Sequence, residues 1–150
     1  MTDGMLVRVG EEHYIIPTMK IQLSFRPAQE DLWSVSDRGE MVMLHGQLIP
    51  IARLHRLFRL ERCQENPTDG ILVVVGDGSR KTSLLVDELL GQQQFVVKAL
   101  TGQVAGTPGV AGGAILGDGG VGLILDPDEI IGLARTSKGD PGEGGHAAVA

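Results

Sequence analysis

At 150 residues the chain suits one domain or two small lobes, long enough to bury roughly two-thirds of its unfolded surface. Its formal charge of −6 repels a phosphate backbone or an anionic leaflet, so neither nucleic acid nor a membrane surface is an expected partner, and a lone Cys63 cannot close an internal disulfide. Aromatic residues make up 3% while Gly numbers 22, about twice the usual share of about 7%, which favours many short strands packed through Ile, Leu, Val and Met over a helical bundle. His13, His45, His55 and His146 lack metal-ligand spacing, no apolar run approaches a membrane span of roughly 20 residues, and the first four residues carry no signal-peptide pattern. A reducing, cytoplasmic setting is expected, with no cofactor and no metal.

Met5 to Val9 reads as a strand closed by Gly10-Glu11-Glu12, with Tyr14-Ile15-Ile16 as its returning partner. Pro17 has no N–H to give and is expected at an edge or bulge. Met19 to Phe25 continues extended, and Arg26 to Ser36 is expected to be a loop in which Trp33 either covers the core or anchors a partner. Glu40 to Leu44, a turn at His45-Gly46-Gln47 and Leu48 to Ile51 form a second hairpin, its return strand marked as an edge by Pro50. Leu54, Leu57 and Phe58 then fall at helical spacing, and Arg53, Arg56, Arg59 and Arg62 recur every three residues, which predicts a short helix with a basic face, either solvated or meeting an anion.

After a linker from Cys63 to Asp69 the chain starts again. Asp3, Gly4, Leu6, Val7, Val9 and Gly10 match Asp69, Gly70, Leu72, Val73, Val75 and Gly76 at an offset of 66. The new hairpin turns at Gly76 to Lys81, which lacks the phosphate-binding spacing of a P-loop. Leu84 to Val86 returns, and Phe95 to Leu100 extends onward. At an offset of 73, Val42, Met43, Gly46, Leu48 and Ile51 match Ile115, Leu116, Gly119, Val121 and Ile124. Two copies of a roughly five-stranded unit imply two small barrels. Thr101 to Gly113 is a Gly-rich connection or a moving contact. Asp126-Pro127-Asp128-Glu129 carries the signals that open a helix, predicted to run to about Ala134, and the small, polar stretch beyond it is expected to be disordered.

The hairpin from Ala114 to Leu125 turns at Asp118-Gly119, a strong turn signal. Asp118 to Gly122 also spells D-x-G-x-G, the spacing of an adenine-contacting Asp, although the upstream helix and downstream lid of such an ATP site are not apparent. No nucleophile stands in an elbow-like setting. Asp87-Glu88 would face opposite ways in a strand, and Asp126, Asp128 and Glu129 open a helix. The pattern points to a binding module without catalytic residues. Leu48 and Met41 are candidate contact residues if they point outward, and core residues otherwise.

Three segments carry a specific likeness: Asp3 to Gly10 with Tyr14 to Pro17, Leu85 to Lys98 with its Gly91-Gln92-Gln93-Gln94 run, and Gly112 to Asp126 with Ile115-Leu116-Gly117-Asp118-Gly119. The chain resembles the C-terminal regulatory domain of the chemotaxis histidine kinase CheA, itself similar to the adaptor CheW. That resemblance implies an all-β fold of two tandem SH3-like five-stranded barrels over residues 1–136, lobe one about 14–66, lobe two about 69–135, with the first strand possibly shared and a disordered tail at 137–150. It implies docking onto a CheW-type adaptor and chemoreceptor tips in two-component signalling, with the first lobe pairing through apolar residues around Leu48 and a contribution near Glu40, and the second lobe able to meet another adaptor. The partner-interface residues it implies are Glu40, Met41 and Leu48. The family more often has an aromatic residue at the position of Leu48 and an Arg at that of His45. The kinase's phosphate-accepting histidine, dimerisation helices and ATP-binding domain have no counterpart in this sequence. An excised kinase domain is expected, with a stand-alone adaptor as the alternative and an ATP-binding fragment using Asp118 as a more distant one.

Overall fold

The computed structural model of the chain describes residues 2–98 and 106–138. Its eleven strands are β1 (Thr2–Val9), β2 (Glu12–Pro17), β3 (Ile21–Phe25), β4 (Leu32–Val35), β5 (Gly39–Leu44), β6 (Gln47–Arg53), β7 (Ile71–Asp77), β8 (Arg80–Val86), β9 (Glu88–Lys98), β10 (Val110–Ile115) and β11 (Val121–Leu125). A four-residue helix α1 (Leu54–Leu57) follows β6, and α2 (Pro127–Lys138) follows β11.

The strands form two sheets, one a closed barrel in the order β1-β2-β11-β10-β9, the other six-stranded in the order β3-β7-β8-β6-β5-β4. The two β lobes expected from the repeat are therefore present, and the one built around β3 to β6 carries six strands rather than five. Sheet membership crosses the expected 66–69 division. The barrel takes β1 and β2 from the start of the chain and β9 to β11 from its end, while β7 and β8 insert between β3 and β6.

This exchange explains the longest apolar runs. On β1 and β2, Val7, Val9, Tyr14 and Ile16 face a core shared between the lobes, whereas Leu6 and Ile15 face the barrel interior with Phe95, Leu116 and Ile124. On β7 and β8, Val73, Val75, Leu84 and Val86 join the shared core, while Leu72, Val74 and Leu85 face Val42, Ile49 and Ile51. Successive side chains of a strand point to opposite faces, so a strand buried on both sides must be apolar throughout. The inter-lobe core is large and apolar, which holds the two lobes together. Tyr14 stacks on Phe58 at 5.0 Å and 18° in this core, and burial, with a smaller push from Glu12, raises its hydroxyl pKa far above the usual value.

The repeated glycines have matching structural needs. A Cβ on Gly4 would collide with Ile15 Cγ2, and one on Gly70 would lie 2.9 Å from both Leu85 Cδ1 and the Val86 carbonyl. Gly10 and Gly76, also matched, both have positive φ, as do Gly46 and Gly119 in the second pair of hairpins.

Several sequence expectations are corrected. Leu32–Val35 is a strand, not loop, and Trp33 sits opposite Met41 on its neighbour. Pro50 does not mark an edge, because β6 lies between β5 and β8; its pairing with β8 begins one residue later, at Ile51, so the missing N–H breaks no bond to β8. Pro17 lies at a strand end, beyond the Tyr14 and Ile15 positions that pair with β11. The basic helix shrinks to four residues, since Arg53 belongs to β6 and Arg59 and Arg62 take φ of +55° and +56°. The final helix reaches Lys138, so positions 137 and 138 of the expected tail are helical, and residues 139–150 lie outside the described residues. Within the expected 101–113 connection, residues 101–105 also lie outside them, while Val110 to Gly113 belong to β10.

Asp126 caps α2 as expected, its Oδ1 accepting the Glu129 N–H at 3.2 Å. Glu129 does not complete a capping box. Its Oε1 accepts the Gly109 N–H at 2.5 Å, and the Gly109 carbonyl accepts the Asp126 N–H at 2.9 Å, so the loop before β10 is tied to the helix start.

Candidate protein-docking surface

The β5–β6 hairpin turns over two residues, His45 and Gly46, both with positive φ, the geometry that matches the twist of its strands. Alternation puts Val42, Leu44, Ile49 and Ile51 on the inner face. Trp33, Met41, Met43, Leu48 and Pro50 fall on the other face, where register aligns Trp33–Met41–Pro50 in one row and Met43–Leu48 in the next. Leu48 is 39% exposed beside the turn, and Trp33 is similarly open. Met41 is 3% exposed, so its side chain is packed into the lobe.

Glu40 falls on the strand face opposite Leu48, at the far end of the hairpin. Its two oxygens accept Nε and Nη2 of Arg53, each at 2.7 Å, and Arg56 Nη1 lies 3.6 Å away. This bidentate pairing outweighs partial burial and holds the Glu40 carboxyl below the usual range, while the same bond raises Arg53. Arg53 is mostly buried, whereas Arg56 is 68% exposed, so the cluster presents a positive charge outward. Arg53 Nη1 also donates to the Glu65 carbonyl. A groove of about 210 Å³ opens here, lined by Leu32, Trp33, Glu40, Met41, Arg53 and Pro67 among others. The three residues picked from the sequence therefore separate: Glu40 and Met41 line the groove, and Leu48 stands at the hairpin tip.

His55, on α1 beside this cluster, is buried, and its Nδ1 has no hydrogen-bond partner among the described residues. Burial first, then the charges of Arg53 and Arg56, lower its pKa.

A second apolar surface was missed in the sequence. In the barrel, Ile115 lies opposite Val96 on one side and Val121 on the other, and all three are exposed, Val121 by 65%. Closure of the barrel leaves Ile115 and Val121 outside on β10 and β11, and at the end of β9 both Val96 and its neighbour Val97 are exposed. A signal was available, because the 73-residue offset matches Val121 to Leu48. Met19, exposed by 94%, is a further isolated apolar residue.

Asp118, Asp87, Asp126 and Glu129 serve the fold. Asp118 Oδ1 accepts the Gly120 N–H at 2.8 Å within the five-residue β10–β11 loop, so it caps its own turn. Asp87 is bonded by main-chain N–H groups, and Asp126 and Glu129 hold α2 and Gly109. No group of His, Cys, Asp or Glu among the described residues could hold a metal ion. No described helix is long and apolar enough to cross a membrane.

Residues 3–135 match the family model described as CheW-like domain. The chemotaxis protein CheA of Klebsiella aerogenes is 39% identical over 133 residues, covering 89% of this chain and 20% of that protein. CheA of Salmonella typhimurium is 36% identical over 136 residues, covering 91% of this chain and 20% of that protein. The chain thus spans about a fifth of the length of these relatives. Among solved structures, the scaffolding protein TtCheW from Thermoanaerobacter tengcongensis superposes with a TM-score of 0.66 at 17% identity, over 83% of this chain and 88% of that one, a likeness of fold.

Proposed function

This chain belongs to the CheW-like domain family, and from that premise we propose that it is the non-catalytic docking and regulatory domain of a chemotaxis histidine kinase. It binds a CheW-type adaptor and a chemoreceptor tip in the cytoplasm, and so couples receptor state to autophosphorylation elsewhere in the kinase. Identity of 36–39% to CheA proteins supports the kinase reading over a stand-alone adaptor. The observation that carries docking is Leu48, an exposed Leu beside the β5–β6 turn on a face that also holds Trp33 and Met43. Large apolar side chains in the open are the kind of residue that anchors an interface once a partner excludes water from them. The second surface, Val96–Ile115–Val121, supports contact with another adaptor molecule from the barrel lobe.

Calorimetric titration with the CheW-type adaptor of the same organism tests the reading, with ATP and magnesium in a parallel cell. Saturable adaptor binding without ATP binding is expected. Heat from ATP that disappears in Asp118→Asn, with no heat from the adaptor, would replace docking by the nucleotide reading.

A further inference from the structure

A continuous set of polar contacts runs from the barrel to the groove through Asp87. This residue joins β8, in the six-stranded sheet, to β9, in the barrel, and its side chain is 8% exposed. Oδ2 accepts the Gly10 N–H at 2.9 Å, from the β1–β2 turn, and Oδ1 accepts the Gln64 N–H at 3.1 Å, from the segment between α1 and β7. Arg8 Nη1 lies 3.4 Å from Oδ2 and also donates to the Gly10 carbonyl at 2.9 Å, while the Asp87 N–H donates to the Arg8 carbonyl at 2.9 Å. A carboxylate this buried is costly unless its oxygens are bonded, so these donors are held to it firmly. One residue beyond Gln64, the Glu65 carbonyl accepts Arg53 Nη1, from the guanidinium that grips Glu40. Asn66 and Pro67, next in the chain, form a wall of the groove.

We infer that Asp87 is a positioning residue for the groove: it fixes the 64–67 wall against the barrel and, through the Glu65 carbonyl, holds Arg53 and Glu40 in their paired geometry. The alternative is that apolar packing alone places this segment, since Leu60 and Cys63 pack against the shared core. Loss of the carboxylate separates the two. Alanine at position 87 leaves both main-chain N–H groups without an acceptor. Asparagine keeps one acceptor oxygen and turns an NH₂ toward donors, so one of the two amides loses its partner.

The test is hydrogen exchange by nitrogen-edited NMR on the whole chain, following the Gln64 amide and the Arg53 Nε–H in wild type, Asp87→Asn and Asp87→Ala. The control is Ile124→Val, which trims a buried methylene from the barrel core without touching this set of contacts. Exchange at both probes is expected to rise about fivefold or more in Asp87→Ala, and less in Asp87→Asn, while the control leaves Arg53 unchanged. Wild-type protection of Arg53 Nε–H in a folded Asp87 variant whose Gln64 amide has loosened would overturn the inference, as would an unchanged Gln64 amide. If the alanine variant does not fold, Asp87→Leu, of similar shape and with no acceptor for either amide, carries the same decision.

Discussion

The two hairpins that match at an offset of 73 residues share a scaffold and differ in surroundings. Each turns on a positive-φ glycine, Gly46 or Gly119, and each presents an exposed apolar residue two positions later, Leu48 or Val121. The leading strands run one residue out of step, because one loop has two residues and the other five; Val42 is buried where its match Ile115 is exposed. The β5–β6 hairpin carries the Glu40–Arg53–Arg56 cluster at its base, whereas in the barrel loop Asp118 is bonded to its own turn. A repeat can thus keep an apolar contact point while the charges around it diverge. Apolar burial supplies affinity with little discrimination, and charges supply discrimination.

The largest expected effect tests the matched turns Gly10 and Gly76. A Cβ on Gly76 would collide with the Arg80 carbonyl at φ +108°, and one on Gly10 would lie 3.1 Å from the Glu61 carbonyl at φ +63°. Gly76→Ala should cost about 4 kcal/mol and Gly10→Ala about 1–2 kcal/mol, measured by denaturant unfolding. Equal costs would mean that the two turns are less distinct than their geometry. Next, Leu48→Arg should weaken adaptor binding at the β5–β6 tip about 100-fold with little change in melting temperature, since the residue is already exposed. Retained affinity at that tip would remove Leu48 from the interface. Arg53→Ala leaves Glu40 half-buried without its principal partner, and should cost about 1–2 kcal/mol of stability, between the range for exposed pairs and that for fully buried ones.

The smallest effect is pH dependence confined to the six-stranded lobe. Burial lowers the folded-state pKa of His55, so the unfolded chain takes up its proton first as pH falls below about 6.5, and stability declines until the lowered folded-state pKa is passed. Glu40 adds a second decline below the usual carboxylate range, because its folded pKa is lowered. Unfolding titrations from neutral to acid pH should show the first decline in wild type and lose it in His55→Phe. A slope unchanged by that substitution would assign the titration elsewhere.

Local signals in the sequence were enough for the hairpins, the repeat and the helix start at Asp126, because turn glycines and caps act within a few residues. The exchange of strands between sheets was not legible. It rests on long-range pairings such as Leu123 with Tyr14 and Ile51 with Ser83, which leave no mark beyond apolar runs. Four arginines at every third position imitated a helix that left-handed residues at 59 and 62 interrupt. At the candidate surface, Leu48 was legible from its place after a turn, but Met41 and Leu48 share a strand face and only packing decides which is covered. Val96, Ile115 and Val121 were hidden because a barrel's inside and outside are decided by closure, which composition does not encode.

Independent docking of partners at the two repeat-related apolar tips is tested most directly by titrating the CheW-type adaptor into wild type, Leu48→Arg and Val121→Arg, and reading stoichiometry as well as affinity. Two adaptors per chain in wild type, and one in each variant with the remaining affinity unchanged, is the predicted result. Wild-type stoichiometry in both variants would contradict it.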